Sequence, residues 1–308
     1  MTSGTVVVGG GSGFIGSYLS KLLSAKGYDV HIISRMPGIQ RMTWTDLKEK
    51  GLPEPTTAVV NLAGQNVLDP SRRWTTGFKQ NVWNSRVNTT TALANAINRA
   101  ETTPTAFVTM SGVGIYKPCE STIYNESKET TEFDFLSKLC HTWEKSAVLL
   151  SDKACRVVNL RSGVVLGRNG GMIKQLYWPF YLGLGGPIGN GKQYLPWIHV
   201  IDLCRLILFS IEKSNVTGPM NAVAPDIVTN AKFTSVLADT MKRPAVFPVP
   251  AFVLDVIFNG ERAKMMTQGQ KVIPEKASNL GFNFLYPKIE DACRITIEGK
   301  ETDNLEFA

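Results

Sequence analysis

The stretch that most constrains this chain is its first turn, Val6-Val7-Val8-Gly9-Gly10-Gly11-Ser12-Gly13-Phe14-Ile15-Gly16. Three consecutive valines suit a short strand covered on both faces. Glycines then stand where the chain must turn sharply. From Phe14 the apolar spacing changes to Phe14, Tyr18 or Leu19, Leu22 and Leu23, which predicts a helix burying one face. Strand, glycine loop and helix start together make an anion site. The first N–H groups of a helix have no partner within it, and its dipole is positive at that end.

The same residues fit two glycine fingerprints. Gly11-Ser12-Gly13-Phe14-Ile15-Gly16 is a G-x-G-x-x-G, and Gly10, Gly13 and Gly16 form a G-x-x-G-x-x-G. In either register one glycine makes the turn, one admits a pyrophosphate close to the backbone, and Gly16 lets helix pack on strand. Dinucleotide binding is the expectation, with contacts from Gly10, Ser12, Gly13, Phe14 and Ile15.

A second strand is expected over Asp29-Val30-His31-Ile32-Ile33, and its end bears on cofactor choice. An acid there would bind a ribose 2′-hydroxyl, whereas Arg suits a 2′-phosphate. Here Ser34-Arg35 follows, and no acid. A hydroxyl and a guanidinium that can donate two hydrogen bonds point to NADP(H). Arg41 to Trp44 reads as a third strand, with Thr45-Asp46 capping a brief helix to Lys50.

Ala58-Val59-Val60-Asn61-Leu62-Ala63-Gly64 is a buried strand running into a turn of small residues, so Leu62, Ala63 and Gly64 belong where an open α/β sheet meets its ligand. Trp74 to Ala100 reads as one long helical stretch carrying Asn81 and Arg86. Ala106 to Met110 is a strand ending in Ser111-Gly112-Val113-Gly114-Ile115-Tyr116. Ser111 and Tyr116, following that strand end, are the candidates to orient a substrate's oxygen.

Cys119 to Thr131 is polar and irregular, and a helix follows with its stripe running from Phe135 to Leu150. Arg156 to Arg161 is the sixth strand of the series. Strands alternating with helices over the first 165 residues imply an α/β fold, a Rossmann-type doubly wound parallel sheet. Residues 1–165 form the nucleotide-binding domain in this reading, and 166–308 a smaller α/β substrate domain, with segments near 198–225 returning to the first. The glycine-rich Gly183 to Gly191 suits a lid or a substrate-lining loop. The charged end, Glu298 to Ala308, reads as a frayed tail.

The whole chain, 308 residues, is 43% hydrophobic and 19% charged, an ordinary globular composition. A formal charge of +7 comes from dispersed Lys and Arg, so an anionic cofactor accounts for it without a nucleic-acid groove. Cys119, Cys140, Cys155, Cys204 and Cys293 show no C-x-x-C or zinc spacing, and His31, His141 and His199 are dispersed, so no metal site is expected. Scattered cysteines and a first strand beginning near Thr5 point to the cytoplasm, with mitochondrial import by a non-obvious signal as the alternative. No apolar run reaches transmembrane length, so no membrane partner is expected. A small-molecule substrate is expected, and both a monomer and a homodimer fit the sequence.

These motifs together resemble the atypical extended short-chain dehydrogenases/reductases, in the subgroup of epimerase family proteins. Its marks here include residues 9–16, Val60-Asn61-Leu62-Ala63-Gly64, Arg72-Arg73-Trp74, Ser85-Arg86-Val87, Arg161 to Gly167, Trp197-Ile198-His199 and Gly269 to Pro274. The resemblance implies an NADP(H)-dependent oxidoreductase or epimerase-type enzyme acting on a small hydroxyl- or carbonyl-bearing molecule. It implies Ser34 and Arg35 as the 2′-phosphate clamp, and Leu62, Ala63, Asn81, Arg86 and Val165 as further cofactor contacts. Active members carry a Tyr and a Lys four positions apart on one helix. A literal Tyr124-Asn125-Glu126-Ser127-Lys128 lies in the polar stretch instead, and the helix itself presents Leu136 and Cys140. A degenerate sensor of NADP(H) is therefore the alternative to an enzyme.

Overall fold

The structure, a computed structural model, describes residues 4–69, 71–299 and 301. Strand β1 (Thr5–Gly9) leads into α1 (Phe14–Ala25), then β2 (Asp29–Ser34), β3 (Arg41–Thr43), α2 (Trp44–Lys50) and β4 (Ala58–Asn61). Helices α3 (Thr76–Asn84) and α4 (Val87–Arg99) follow, then β5 (Ala106–Gly112), a 3-10 turn over Val113–Ile115, β6 (Cys119–Tyr124), α5 (Phe135–Lys145) and β7 (Arg156–Ser162). Next come β8 (Val164–Leu166), α6 (Gly171–Tyr181), β9 (Trp197–His199), α7 (Val200–Glu212), β10 (Gly218–Ala222) and α8 (Asn230–Met241). The chain finishes with α9 (Ala251–Phe258), α10 (Gly260–Thr267), β11 (Gln270–Val272), α11 (Glu275–Asn279) and α12 (Ile289–Glu298).

Seven strands form one parallel sheet in the order β10-β7-β5-β4-β1-β2-β3. The valines of β1 show why it sits at the centre. Val6 and Val8 join the apolar cluster that holds α1 and α7, while Val7 joins the one that holds α2 and α4. All three are fully buried, as successive side chains of a doubly covered strand must be. Strand order reverses between β1 and β4, so a crevice opens at their carboxyl ends. Two small parallel pairs, β6 with β11 and β8 with β9, stand apart from this sheet. Returning after β9, α7 packs on α1, and β10 becomes an outer strand of the central sheet.

Several local expectations are corrected. The stretch from Trp74 to Ala100 is two helices, broken at Ser85-Arg86. There the Thr89 and Thr90 hydroxyls take the Arg86 carbonyl at 3.0 and 2.8 Å, and Ser85 Oγ bonds the Val82 carbonyl at 3.0 Å. Such side-chain bonds compete with the helical ladder. Helix α2 is capped one residue pair earlier than expected, by a reciprocal Thr43–Asp46 box. The polar stretch after Cys119 contains strand β6, whose partner β11 is remote in sequence. Helix α5 stops at Lys145, leaving Val148 and Leu150 exposed.

The tail reading is also corrected at Glu301, which is 2% exposed. Its carboxylate accepts from Tyr18 Oη at 2.5 Å and from Arg168 N at 3.0 and 3.2 Å. His199 Nε2 lies 3.4 Å away. His199 Nδ1 accepts the Ile201 N–H that starts α7 at 3.3 Å, which turns the other ring nitrogen toward Glu301. Burial alone would push the Glu301 carboxyl up, but hydrogen bonds from His199 and Tyr18 outweigh it and leave the group below its ordinary range. Lys300 and residues 302–308 lie outside the described residues.

Candidate functional site: a nucleotide crevice and a closed polar network

The glycine turn is close-packed at Gly10, Gly11 and Gly16, while Ser12 and Gly13 are exposed. Gly10 has φ of 74°, and a Cβ there would come within 2.8 Å of the Ala63 nitrogen. A Cβ on Gly16 would lie 2.6 Å from the Gly10 carbonyl oxygen, so α1 crosses the turn with no room for a side chain. Helix α1 begins with Gly13 as its cap, with no side-chain cap and no acid in the first turn. Its first ladder bond outside the helix body is Ser17 N–H to the Gly13 carbonyl at 2.9 Å. The N–H groups ahead of it, on Phe14, Ile15 and Gly16, therefore point out of the helix end.

Two other segments border this helix start. Asn61, fully buried, closes the turn after β4. Its Nδ2 donates to Thr90 Oγ1 at 2.8 Å and its Oδ1 accepts from Ala63 N at 3.1 Å. That bond shapes the backbone of Leu62 and Ala63 beside Gly10. Val165 lies on β8, and the loop beyond it folds onto Phe14. A Cβ on Gly170 would sit 2.2 Å from the Phe14 ring.

At the end of β2, Ser34 is buried and its hydroxyl donates to the Met36 carbonyl at 2.5 Å. Arg35 is exposed and forms no ion pair among the described residues. It lines a cavity of about 330 Å³ together with Gln65, Arg72, Phe78, Asn81 and Ser85. Arg35 and Asn81, expected separately from sequence, are thus brought to one cavity, whose lining holds no acid. Gln65, Arg72 and Ser85 were not singled out as contacts. Arg72-Arg73 gave a motif but no role, because its approach to Arg35 depends on the fold.

Arg86 backs the β4 turn from below. Its Cζ is 3.2 Å from where a Cβ on Gly64 would be, and it lies 5.2 Å from the Trp143 ring. It donates to the Val82 carbonyl at 3.1 Å. Burial, with no carboxylate to oppose it, pushes its guanidinium down to about 10.

At the end of β5, Ser111 is 4% exposed and its Oγ has no hydrogen-bond partner among the described residues. Cys140 of α5 is its neighbour. Burial, then Glu144, pushes that thiol up to about 12, so it is neutral and no base. Leu136 and Cys140 do face this strand end: Cβ atoms on Gly114 and Gly112 would lie 3.5 Å from Leu136 and from Cys140 Sγ.

Tyr116 is placed differently from Ser111. It is 1% exposed, and its hydroxyl donates to Asn221 Oδ1 at 2.8 Å while accepting from Arg161 Nη1 at 3.0 Å. Arg161 in turn makes a two-pronged pair with Glu144 at 2.8 and 3.0 Å. Burial raises the Tyr116 phenol, and Arg161 and Asn221 only partly offset it. Tyr116 therefore belongs to a closed buried network rather than to an open surface. Tyr124 stacks on Tyr116 at 4.9 Å and ends β6, while Lys128 follows in a turn, so the literal Tyr-x-x-x-Lys does not lie on a helix. Among the described residues no cluster of His, Cys, Asp and Glu could hold a metal ion. None of their helices is long and apolar enough to cross a membrane.

Comparison with known proteins agrees with this geometry. Residues 6–246 match the model of the NAD dependent epimerase/dehydratase family, and residues 249–295 match a domain of unknown function. The chain is 46% identical to the epimerase family protein SDR39U1 of Bos taurus, covering 95% of this chain and 99% of the relative. It is 33% identical to the epimerase family protein YfhF of Bacillus subtilis, covering 96% and 99%. The crystal structure of the human epimerase family protein SDR39U1 with NADPH superposes with a TM-score of 0.93 at 44% identity, over 96% of this chain and 99% of that one.

Proposed function

Since the chain belongs to the NAD dependent epimerase/dehydratase family, as an atypical extended short-chain dehydrogenase/reductase of the epimerase type, we propose that it binds NADP(H). We further propose that it exchanges hydride with a small hydroxyl- or carbonyl-bearing substrate. The observation that carries the reading is the uncapped, acid-free start of α1 over a turn whose Gly10 and Gly16 leave no room for a side chain. Those residues fit a dinucleotide: the outward N–H groups at Phe14 to Gly16 would hold the pyrophosphate, and Arg35 the 2′-phosphate. The NADPH in the human relative's crystal structure supports the choice of cofactor.

When bound, the nicotinamide supplies or accepts hydride. Asn61 fixes the backbone of Leu62 and Ala63 against which the nucleotide would lie. Ser111 Oγ, buried and unpaired at the β5 end, would donate to or accept from the substrate oxygen and orient it. Tyr116 would act one step back, holding Arg161 in place.

A second reading is favoured by one observation: Leu136 and Cys140 stand on α5 where a Tyr and a Lys would carry the proton. On that reading the chain senses NADP(H) and acts through a partner. Fluorescence titration with NADPH and NADH tests the shared premise. NADPH should bind at least about tenfold more tightly, and Arg35→Ala should remove the difference. Equal or absent binding of the two nucleotides by the wild type would sink it.

A further inference from the structure

Resting on the NADP(H) reading above, we propose that Arg72 is a second cation for the nucleotide 2′-phosphate, and that the C-terminal unit sets it in place. Residues 249–295, of no known role, would then help decide which cofactor the protein takes.

The case begins with Arg262 on α10, a fully buried guanidinium. Among the described residues it forms no ion pair, and the Asp69 carboxylate acts on it only through its charge. Its Nη1 donates to the Arg72 carbonyl at 2.7 Å and its Nη2 to the Asp69 carbonyl at 2.6 Å. Its flat face lies 5.5 Å from the Trp74 ring, 5.8 Å from Phe78 and 5.0 Å from Phe258. Next to it, the Glu261 carboxylate accepts from Trp74 Nε1 at 2.7 Å and from Lys79 Nζ. Asn259 Oδ1 accepts the Glu261 N–H at 3.2 Å and so starts α10 at this point. Two adjacent residues of the C-terminal unit thereby grip the backbone and the aromatic anchor of the 69–79 segment from the nucleotide-binding unit.

That grip consumes carbonyls and leaves the arginine side chains of the segment available. Arg72 and Arg73 are both exposed, and neither forms an ion pair among the described residues. Only Arg72 lines the cavity that Arg35 also lines. Arg73 lines a neighbouring cavity that Arg35 does not reach. The two guanidiniums line one cavity whose lining holds no acid, and Asp69 nearby offsets Arg72 only in part, so their mutual repulsion favours an anion entering between them. A phosphate dianion relieves that repulsion and can take two hydrogen bonds from each. A ribose with a free 2′-hydroxyl gains far less, so the effect falls on NADPH and spares NADH.

The test is fluorescence titration of both nucleotides on the full chain. Arg72→Gln, at an exposed position, should raise the Kd for NADPH about tenfold and leave that for NADH within about twofold. Arg262→Lys keeps the charge but cannot reach both carbonyls. It should weaken NADPH in the same selective way and speed tryptic cleavage after Arg72 or Arg73. If Arg262→Lys does not fold, Trp74→Phe keeps an aromatic ring beside Arg262, smaller than the indole, removes the bond to Glu261 and should weaken NADPH about threefold. An unchanged NADPH Kd in Arg72→Gln, with Arg35→Ala still abolishing the preference, overturns the second cation and leaves the cofactor reading intact. An unchanged NADPH Kd in folded Trp74→Phe and Arg262→Lys overturns the role of the C-terminal unit. A wild type that treats both nucleotides alike removes the cofactor reading, and this proposal with it.

Discussion

Two regions along the carboxyl edge of the same sheet are built on opposite plans. At β1, β2 and β4 the helix-end donors and the Arg35 guanidinium are left open, while Ser34 and Asn61 are bonded within the protein. Helix α1 starts uncapped, Arg35 has no ion-pair partner among the described residues, and Gly10 and Gly16 leave no room for side chains. At β5 and β7 the polar groups are spent on one another. Tyr116, Arg161, Glu144 and Asn221 close into a buried network, and Cys140 is a neutral thiol beside it. Among the described residues, Ser111 Oγ and Asn159 Oδ1 break that pattern. Open donors beside a crevice are costly to folding unless a ligand or water uses them, whereas a closed network serves rigidity. The first region is built to receive an anion, and the second to hold a shape.

The largest expected effect comes from closing the open region. Gly16→Val would drive its side chain into the Gly10 carbonyl and should weaken NADPH binding more than about 100-fold by titration. Opening the closed region should act on stability instead. Arg161→Met leaves Glu144 buried without its partner and should cost about 3 kcal/mol in urea denaturation, while NADPH still binds the folded fraction. A loss of binding without a loss of stability in that variant would show that the two regions are not so divided.

A smaller effect sharpens the comparison at Glu301, which ties the C-terminal end to α1 behind the open region. Its folded carboxyl lies below the ordinary 4.5, so its contribution is complete above that value and is lost as pH falls through the folded value. The stability gap between wild type and Glu301→Gln should be present above about pH 5 and close as pH falls through the folded value. A gap that widens in acid would reverse the sign argued here.

How much of this was legible in the sequence follows from how local each signal is. The glycine turn, the valine strand and the strand ends at Ser34, Leu62 and Ser111 are read from neighbours in sequence, and the central sheet follows from their alternation with helices. Tyr116 follows its strand end as a substrate contact should, but its partners Arg161 and Asn221 lie 45 and 105 positions away. Nothing near Tyr116 announces them. Glu301 looks like a tail residue until Tyr18, 283 positions earlier, is brought to it. Arg262 carries no signal in the sequence, because its carbonyl partners lie 190 and 193 positions earlier. Buried polar networks are assembled by tertiary structure, so periodicity is silent about them.

A crystal structure of the chain grown with NADPH tests the division of labour most directly. The expected result places the pyrophosphate on the N–H groups at Phe14 to Gly16, the 2′-phosphate at Arg35, and the nicotinamide ring beside Ser111, with the Tyr116–Arg161–Glu144 network unchanged. A nucleotide bound away from the glycine turn, or one that breaks into that network for its contacts, would contradict it.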